Sequence, residues 1–150
     1  MKIAVLSGGV GGARFLRGLI GVVDPLDVTI VGNVGDDVEV LGLRISPDLD
    51  SILYTLTGLA DEERGWGRAD ESWRALETVA ELGGASWFHL GDRDIGLHLV
   101  RTELLREGVP LSEVTERIAH ALGLQAALLP ATDDPVRTFL ETPAGTFPFQ

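Results

Sequence analysis

Eight of the twelve aspartates in this 150-residue chain fall in four close pairs: Asp36-Asp37, Asp48-x-Asp50, Asp92-x-Asp94 and Asp133-Asp134. Each pair follows an apolar, strand-like run or opens a helix. Carboxylates packed this densely repel one another unless a cation or positive donors sit among them, and a hard divalent ion such as Mg2+ takes oxygen ligands of this kind. The chemistry implied is a phosphate and metal site. A matching anion cradle is Ser7-Gly8-Gly9-Val10-Gly11-Gly12-Ala13-Arg14, directly after the first strand-like run. Its glycines let backbone N–H groups approach an anion, the following helix offers its positive end, and Arg14 adds a forked contact. The loop is not the dinucleotide fingerprint, because Arg14 stands where a small residue should pack helix on strand, and it is not a P-loop.

Other chemistries are narrowed by composition. With no cysteine there is no thiolate, disulfide or Cys-type zinc site, and the single lysine, Lys2, stands at the start of the first strand. Asp, Arg, His, Ser/Thr and backbone remain. A formal charge of −11 argues against nucleic acid or an anionic membrane as partner. No basic n-region and no long apolar span are present, so the expected compartment is the cytoplasm.

The elements that must position these residues alternate. Ile3 to Leu6 reads as a strand, followed by a helix carrying Phe15, Leu16, Leu19, Ile20 and Val23. Val28 to Val31 is a second strand ending in the turn formers Gly32 to Asp37. Ser46 as N-cap with Pro47 at the first position starts a helix with Leu49, Ile52, Leu53, Leu56 and Leu59 inward. Asp70 is expected to cap a helix through Trp73, Leu76 and Val79. Trp87 to Leu90 reads as a strand entering Gly91-Asp92-Arg93-Asp94, with Ile95, Leu99, Val100, Leu104 and Leu105 as the apolar trace of the next helix. Ser112 caps a further helix, Ala126 to Leu129 is a strand, and a hairpin closes across Pro143-Ala144-Gly145. The pattern predicts an α/β fold, Rossmann-like, with an open, mostly parallel sheet and helices on both faces.

Each acid also has a plain structural explanation. Asp48 and Asp50 in a first turn favour the helix dipole by roughly 0.3–1 kcal/mol with no function at all. Asp94 suits a cap, Arg93 can neutralise its two neighbours, and Asp133-Asp134-Pro135 suits a turn. His98, four residues after Asp94, reads as its structural partner on one helix face rather than as a metal ligand. Trp73 reads as core, and Trp66, between Gly65 and Gly67, as the ligand-facing ring.

The Ser7 to Leu16 opening, Asn33-Val-Gly-Asp-Asp37, Arg44-Ile-Ser-Pro-Asp-Leu-Asp50, Tyr54-Thr-Leu56, Arg64-Gly-Trp-Gly67, Leu90-Gly-Asp-Arg-Asp94, His98-Leu-Val-Arg101 and Leu129-Pro-Ala-Thr-Asp-Asp-Pro135 together resemble the 2-phospho-L-lactate transferase family of coenzyme F420 biosynthesis. Its actinobacterial members act as phosphoenolpyruvate transferases, and the resemblance runs the length of the chain. It implies a Mg2+-dependent transferase that moves 2-phospholactate or enolpyruvyl phosphate from a GMP-activated diphosphate onto the deazaflavin Fo, releasing GMP. Asp50 and Asp48 are then the catalytic candidates, and Asp50, His89, Arg93 and Trp66 the acceptor-binding ones. Gly8, Gly9, Gly11, Gly12 and Arg14 would take the donor phosphates, and Asp36, Asp37, Asp48, Asp92 and Asp94 the metal. Which carboxylate accepts the hydroxyl proton stays open.

Two departures stand out. Position 89 is His where many relatives carry Arg or Lys, which makes the contact there weaker or pH-dependent. Relatives continue into a second half, so residues 1–150 read as the N-terminal portion of a single α/β transferase domain, truncated. The isolated chain is expected to be inactive or poorly folded, with apolar surface uncovered. In a full-length version, Asp50→Ala is expected to abolish transfer and leave the fold intact. A homodimer is admitted as the assembly. The alternatives are a regulatory protein of a related family that binds a nucleotide or nucleotide-sugar, and a nucleotide-binding fragment retained for assembly.

Overall fold

The computed structural model describes residues 1–149. In chain order, β1 (Ile3–Ser7) leads into α1 (Gly9–Ile20), and a 3-10 turn at Pro25–Asp27 leads into β2 (Val28–Gly32). A hairpin of β3 (Val38–Val40) and β4 (Leu43–Ile45) precedes α2 (Pro47–Leu56). Three helices follow, α3 (Arg74–Glu81), α4 (Asp92–Arg106) and α5 (Leu111–Ala121), then β5 (Ala127–Pro130) and a closing hairpin of β6 (Phe139–Thr142) and β7 (Gly145–Pro148). Among the described residues no helix is long and apolar enough to cross a membrane.

The central sheet is parallel, in order β1-β2-β5, with Val5 opposite Ile30 and Ile30 opposite Leu128. Because strand side chains alternate, this register puts Ile3, Val5, Val28, Ile30 and Leu128 on one face. That face meets Ala13 and Leu16 of α1, Leu49, Ile52 and Leu53 of α2, and Val114 and Ile118 of α5 in one continuous core. The open, mostly parallel α/β sheet is as the sequence predicts, but the helices that pack on it do so on one face. The other face carries Ala4, Leu6, Thr29, Val31, Ala127 and Leu129, and Leu6 is 83% exposed. Parallel sheets are ordinarily covered on both sides.

Some elements differ from expectation. Trp87 to Leu90 is not a strand; it is an irregular segment whose Leu90 closes a small second core with Val40 and Ile45. The apolar and aromatic enrichment that suggested a strand serves side-chain packing, and among the described residues no strand pairs with this backbone. The hairpin of β3 and β4 was not anticipated; its turn residues Leu41 and Gly42 lie at φ +54° and +75°, the left-handed pair a two-residue hairpin turn requires. Asp70 sits at φ +54° and does not cap α3, which starts at Arg74. α5 starts at Leu111, one residue before Ser112, whose N–H and hydroxyl both donate to Asp133, at 2.6 and 3.0 Å.

The largest difference is the orientation of α4. Leu99 is 55% exposed and Val100 is exposed too, whereas Asp94, His98, Arg101 and Thr102 are buried. The helix is where the sequence predicts it; Ile95, Leu104 and Leu105 pack against the cores as expected, while a polar stripe takes the inward place expected of Leu99 and Val100. Thr102 Oγ anchors that face by accepting from the Arg44 N–H of β4 at 2.8 Å.

Candidate functional site: an aromatic cavity over a buried ion pair

Asp50 in the first turn of α2 and Arg101 in the third turn of α4 meet in the interior. Arg101 is 1% exposed; its Nη1 donates to Asp50 Oδ2 at 2.9 Å and its Nη2 donates to Asp50 Oδ1, a two-pronged pair. Burial works against the guanidinium charge, and the Asp50 carboxylate more than offsets it, so Arg101 is held above its ordinary range. His98, one turn earlier on α4, has Nδ1 3.2 Å from Arg101 Nη1, and burial pushes its imidazole down to about 4. Tyr54, one turn after Asp50, donates its hydroxyl to Asp94 Oδ1 at 2.6 Å. Burial pushes both the phenol and the Asp94 carboxyl upward.

Above this layer lies a cavity of about 310 Å3 with Trp66, Trp87, Phe88 and His89 as walls and Asp50, Tyr54, Asp94 and His98 toward its base. The wall is an interlocked set. Trp66 and Trp73 have ring centroids 6.5 Å apart, and His89 stands edge-on to both, at 6.2 and 6.1 Å. The Arg64 guanidinium lies 5.0 Å from each indole and pairs with Asp61 at 2.9 Å. Trp66, 45% exposed, lines the cavity, and Trp73 buttresses it from behind. A mostly apolar cavity with aromatic walls and a few polar groups suits a planar ring.

A second, polar cavity of about 160 Å3 adjoins the first through Ser51, Tyr54, Trp66 and Gly67, and Arg14 and Arg17 of α1 line it. The glycine loop borders α1. Gly9 lies at φ +59°, and a Cβ on Gly8 would stand 2.9 Å from Asp48 Oδ2, so only glycine lets the loop close on that carboxylate. Asn33 Nδ2 donates to the same oxygen at 2.8 Å. Gly12 lies against Ser7 Oγ, and Gly11 faces open space. The ends of β1 and β2 and the start of α2 therefore converge on Asp48.

The other acids have separate partners. Asp92 accepts from Ser72 Oγ at 2.7 Å and from the Ala75 N–H at 3.1 Å, which caps α3 and lowers its pKa. In return, Glu71 accepts from the N–H groups of Arg93 and Asp94, at 2.8 and 3.0 Å, and caps α4. Arg93 itself is exposed on α4 and is not part of the cavity wall. Asp37 Oδ2 accepts from Ser46 Oγ at 2.8 Å while its Oδ1 is buried without a partner, and burial pushes this carboxyl up to about 6. Ser46 thus stands at the N-cap position of α2 with its hydroxyl turned away from the helix. Asp36 Oδ1 accepts from Thr138 Oγ at 3.3 Å. Among the described residues, no group of three or more His, Asp or Glu stands close enough to hold a metal ion by protein ligands alone.

Two expectations change. His98 pairs with Arg101 and not with Asp94, whose partner is Tyr54. Asp50→Ala cannot be expected to leave the fold intact, because it would strand a buried guanidinium without its counter-charge. Tyr54 and Arg101 stand in the sequence only within motifs of the resemblance, with no role assigned, and Glu71 was not singled out at all. A visible sign was the spacing Asp94, His98, Arg101, a polar stripe at helical intervals whose apolar flanks drew the attention instead.

Fold and cavities define an α/β protein of the open parallel-sheet class, with its polar groups gathered beyond the strands' carboxyl ends. The sequence profile described as 2-phospho-L-lactate transferase CofD matches residues 3–148, and the chain belongs to that family. It is 50% identical over 139 residues to the phosphoenolpyruvate transferase of Streptomyces coelicolor, covering 92% of this chain and 44% of that protein. With the phosphoenolpyruvate transferase of Nocardia farcinica it shares 52% over 138 residues, covering 91% and 42%. The chain thus spans less than half the length of these curated relatives. A crystal structure of a UPF0052-family protein from Bacillus halodurans is similar in fold, with a TM-score of 0.54 at 19% identity over 99% of this chain and 46% of that one.

Proposed function

We propose that this chain carries the acceptor-ring and donor-phosphate sites of a transferase of coenzyme F420 biosynthesis. In the proposed reaction the ribityl hydroxyl of the deazaflavin Fo attacks the phosphorus that bears the phospho-acid, either 2-phospholactate or enolpyruvyl phosphate, in a GMP-activated diphosphate. The hydroxyl oxygen forms the new P–O bond, the bond to the bridging oxygen breaks, and GMP leaves with that oxygen. The hydroxyl proton is released. Such a transfer asks the protein for alignment and charge neutralisation more than for covalent chemistry.

The observation that carries the reading is the pair of adjoining cavities, one aromatic and one lined by Arg14 and by an Arg17–Glu62 ion pair, that share Ser51, Tyr54, Trp66 and Gly67. Trp66 and His89 would hold the deazaflavin ring. Arg14 and the N–H groups from Gly8 to Gly12 would neutralise and orient the diphosphate. Arg101 holds Asp50 in one rotamer at the cavity floor, ready to accept from a ligand hydroxyl.

Mg2+ fits this arrangement as a metal that arrives with its substrate. It commonly takes one or two carboxylates plus substrate phosphates, so a three-carboxylate cage is not required. Asp48, packed against the glycine loop, is the residue proposed to hold it, with the unpartnered oxygen of Asp37 as the next nearest in character. When bound, the ion supplies charge neutralisation on the diphosphate. Asp92 is committed to capping α3 and is withdrawn from the ligand set.

The test is a fluorescence titration of Fo into the purified chain with Mg2+ and GDP present. Saturable binding that weakens at least tenfold in Trp66→Ala supports the reading. Nucleotide binding without Fo binding would favour the regulatory, nucleotide-binding alternative.

A further inference from the structure

We propose that His98 presents its Nε2–H to the aromatic cavity as the donor that recognises an acceptor atom on the edge of a planar heteroaromatic ligand. This rests on the ring-binding reading and adds to it the group that selects among rings.

The argument starts from the guanidinium. Arg101 Nη1 lies 3.2 Å from His98 Nδ1, and a guanidinium has donors only, so Nδ1 must be the acceptor. Asp50 Oδ2 is 3.9 Å from Nδ1, beyond hydrogen-bonding reach, and offers no competing role for that nitrogen. The groups facing the ring are Arg101 on its own helix and Asp50 from α2, and burial beside the guanidinium keeps the imidazole neutral to about pH 4. A neutral imidazole carries one proton, so it is on Nε2.

That N–H has no acceptor among the described residues, although His98 is only 3% exposed and lines the cavity. Nε2 is not among the side-chain atoms closed off from solvent without a partner, and it belongs to a residue that lines this cavity, which makes Nε2–H a place for an incoming acceptor to replace water. The walls beside it are aromatic, so the fitting ligand is flat, with a carbonyl oxygen or ring nitrogen at the edge that reaches the floor. A hydrocarbon ring of the same shape would leave the donor unpaired and bind less well.

Asn and Gln separate the two ring nitrogens, because the amide of Asn falls near the Nδ1 position and that of Gln near Nε2. Fo is titrated into the wild-type chain, His98→Gln and His98→Asn, with circular dichroism to establish folding. His98→Gln is expected to bind within about threefold of wild type and His98→Asn at least tenfold more weakly. Proton–nitrogen correlation spectra of the wild-type chain should show Nε2 protonated and Nδ1 bare, and the Nε2–H signal should move when Fo is added. This readout still decides the matter if a variant fails to fold. A proton on Nδ1, an Nε2–H signal unmoved by bound Fo, undiminished binding by His98→Asn, or equal losses in the two variants would overturn the proposal. If the wild type fails to bind Fo, the ring-binding reading falls and this assignment with it. If the wild type binds and His98→Asn binds equally well, the assignment alone falls.

Discussion

Arg101 and Asp50 form a two-pronged ion pair between α4 and α2 with almost no access to water. Removing one partner of such a pair leaves an uncompensated buried charge and typically costs roughly 3–5 kcal/mol, whereas replacing both with apolar residues of similar size is often neutral. Arg101→Met is therefore expected to lose stability on that scale, and Asp50→Leu with Arg101→Met to regain most of it. Urea denaturation of the single and double variants measures the cycle. The double variant should fold and yet lose Fo binding, because the cavity floor has lost its carboxylate. A loss under about 1 kcal/mol in Arg101→Met would mean that the pair is solvated.

The reciprocal capping of α3 and α4 sets Asp92 apart from Asp48, the acid proposed to hold the metal. Asp92→Ala removes the acceptor for Ala75 N–H and Ser72 Oγ and is expected to lower the denaturation midpoint, as the loss of a cap does. It should not change the affinity for Mg2+ with GDP. Asp48→Ala should do the reverse, weakening that affinity at least tenfold and altering stability little. Calorimetric titration of the two variants checks the contrast, and a metal defect in Asp92→Ala would return that residue to the ligand set.

How far the sequence reads ahead of the structure depends on which physical signal each element carries. β1, β2 and β5 are apolar runs closed by Gly or Pro, and Ser46-Pro47 marks the start of α2, so local chemistry suffices for them. α4 breaks the usual correspondence between apolar and inward: Arg101, His98 and Asp94 are buried because they satisfy Asp50, Tyr54 and one another, information that lies on another helix. The acid pairs misled for a related reason. Asp92 stands among the metal candidates, and Asp133 in one of the four acid pairs, because a capping partner 17 or 21 residues away is invisible in sequence. Trp66 and His89, both singled out in the sequence, line the aromatic cavity. Their shared wall with Arg64 and Trp73 needed the fold.

Asp37 gives a pH dependence with a definite sign. Its carboxyl is raised from 3.8 to about 6, so the folded state prefers the protonated form and stability falls as pH rises through this window. Below pH 4 the penalty is absent, and above pH 6 it is present in full. Asp37→Asn keeps an acceptor for Ser46 Oγ and removes the buried charge. It should stabilise the protein at pH 8 by roughly 1–3 kcal/mol, after allowance for partial solvent access, and match wild type at pH 4. His98 acts in the opposite sense. Its pKa is lowered from 6.5 to about 4, so its contribution is complete above pH 6.5 and is lost as pH falls toward 4. The comparison is thus made between variant and wild type at each pH, by chemical denaturation. Equal stabilities at pH 8 would show that Asp37 ionises without cost.

The uncovered face of the central sheet yields the last prediction. Leu6 projects from it, and its neighbours across the register are Val31 and Leu129, whereas Ile30 on the same strand as Val31 points into the core. If solvent covers the open face in the isolated chain, Leu6→Lys exchanges one exposed side chain for another and shifts stability by no more than about 0.5 kcal/mol. The same change at Ile30 places a charge in the apolar core and should prevent folding. Leu6→Lys should also lower the binding of an apolar fluorescent dye, because it breaks a contiguous apolar patch. Sedimentation of the wild type and the variant decides the assembly. A wild-type dimer that Leu6→Lys turns into a monomer, with a stability loss near that of a core substitution, would show that a second copy covers this face. A monomer in both cases, with unchanged stability, would show the face to be open in solution.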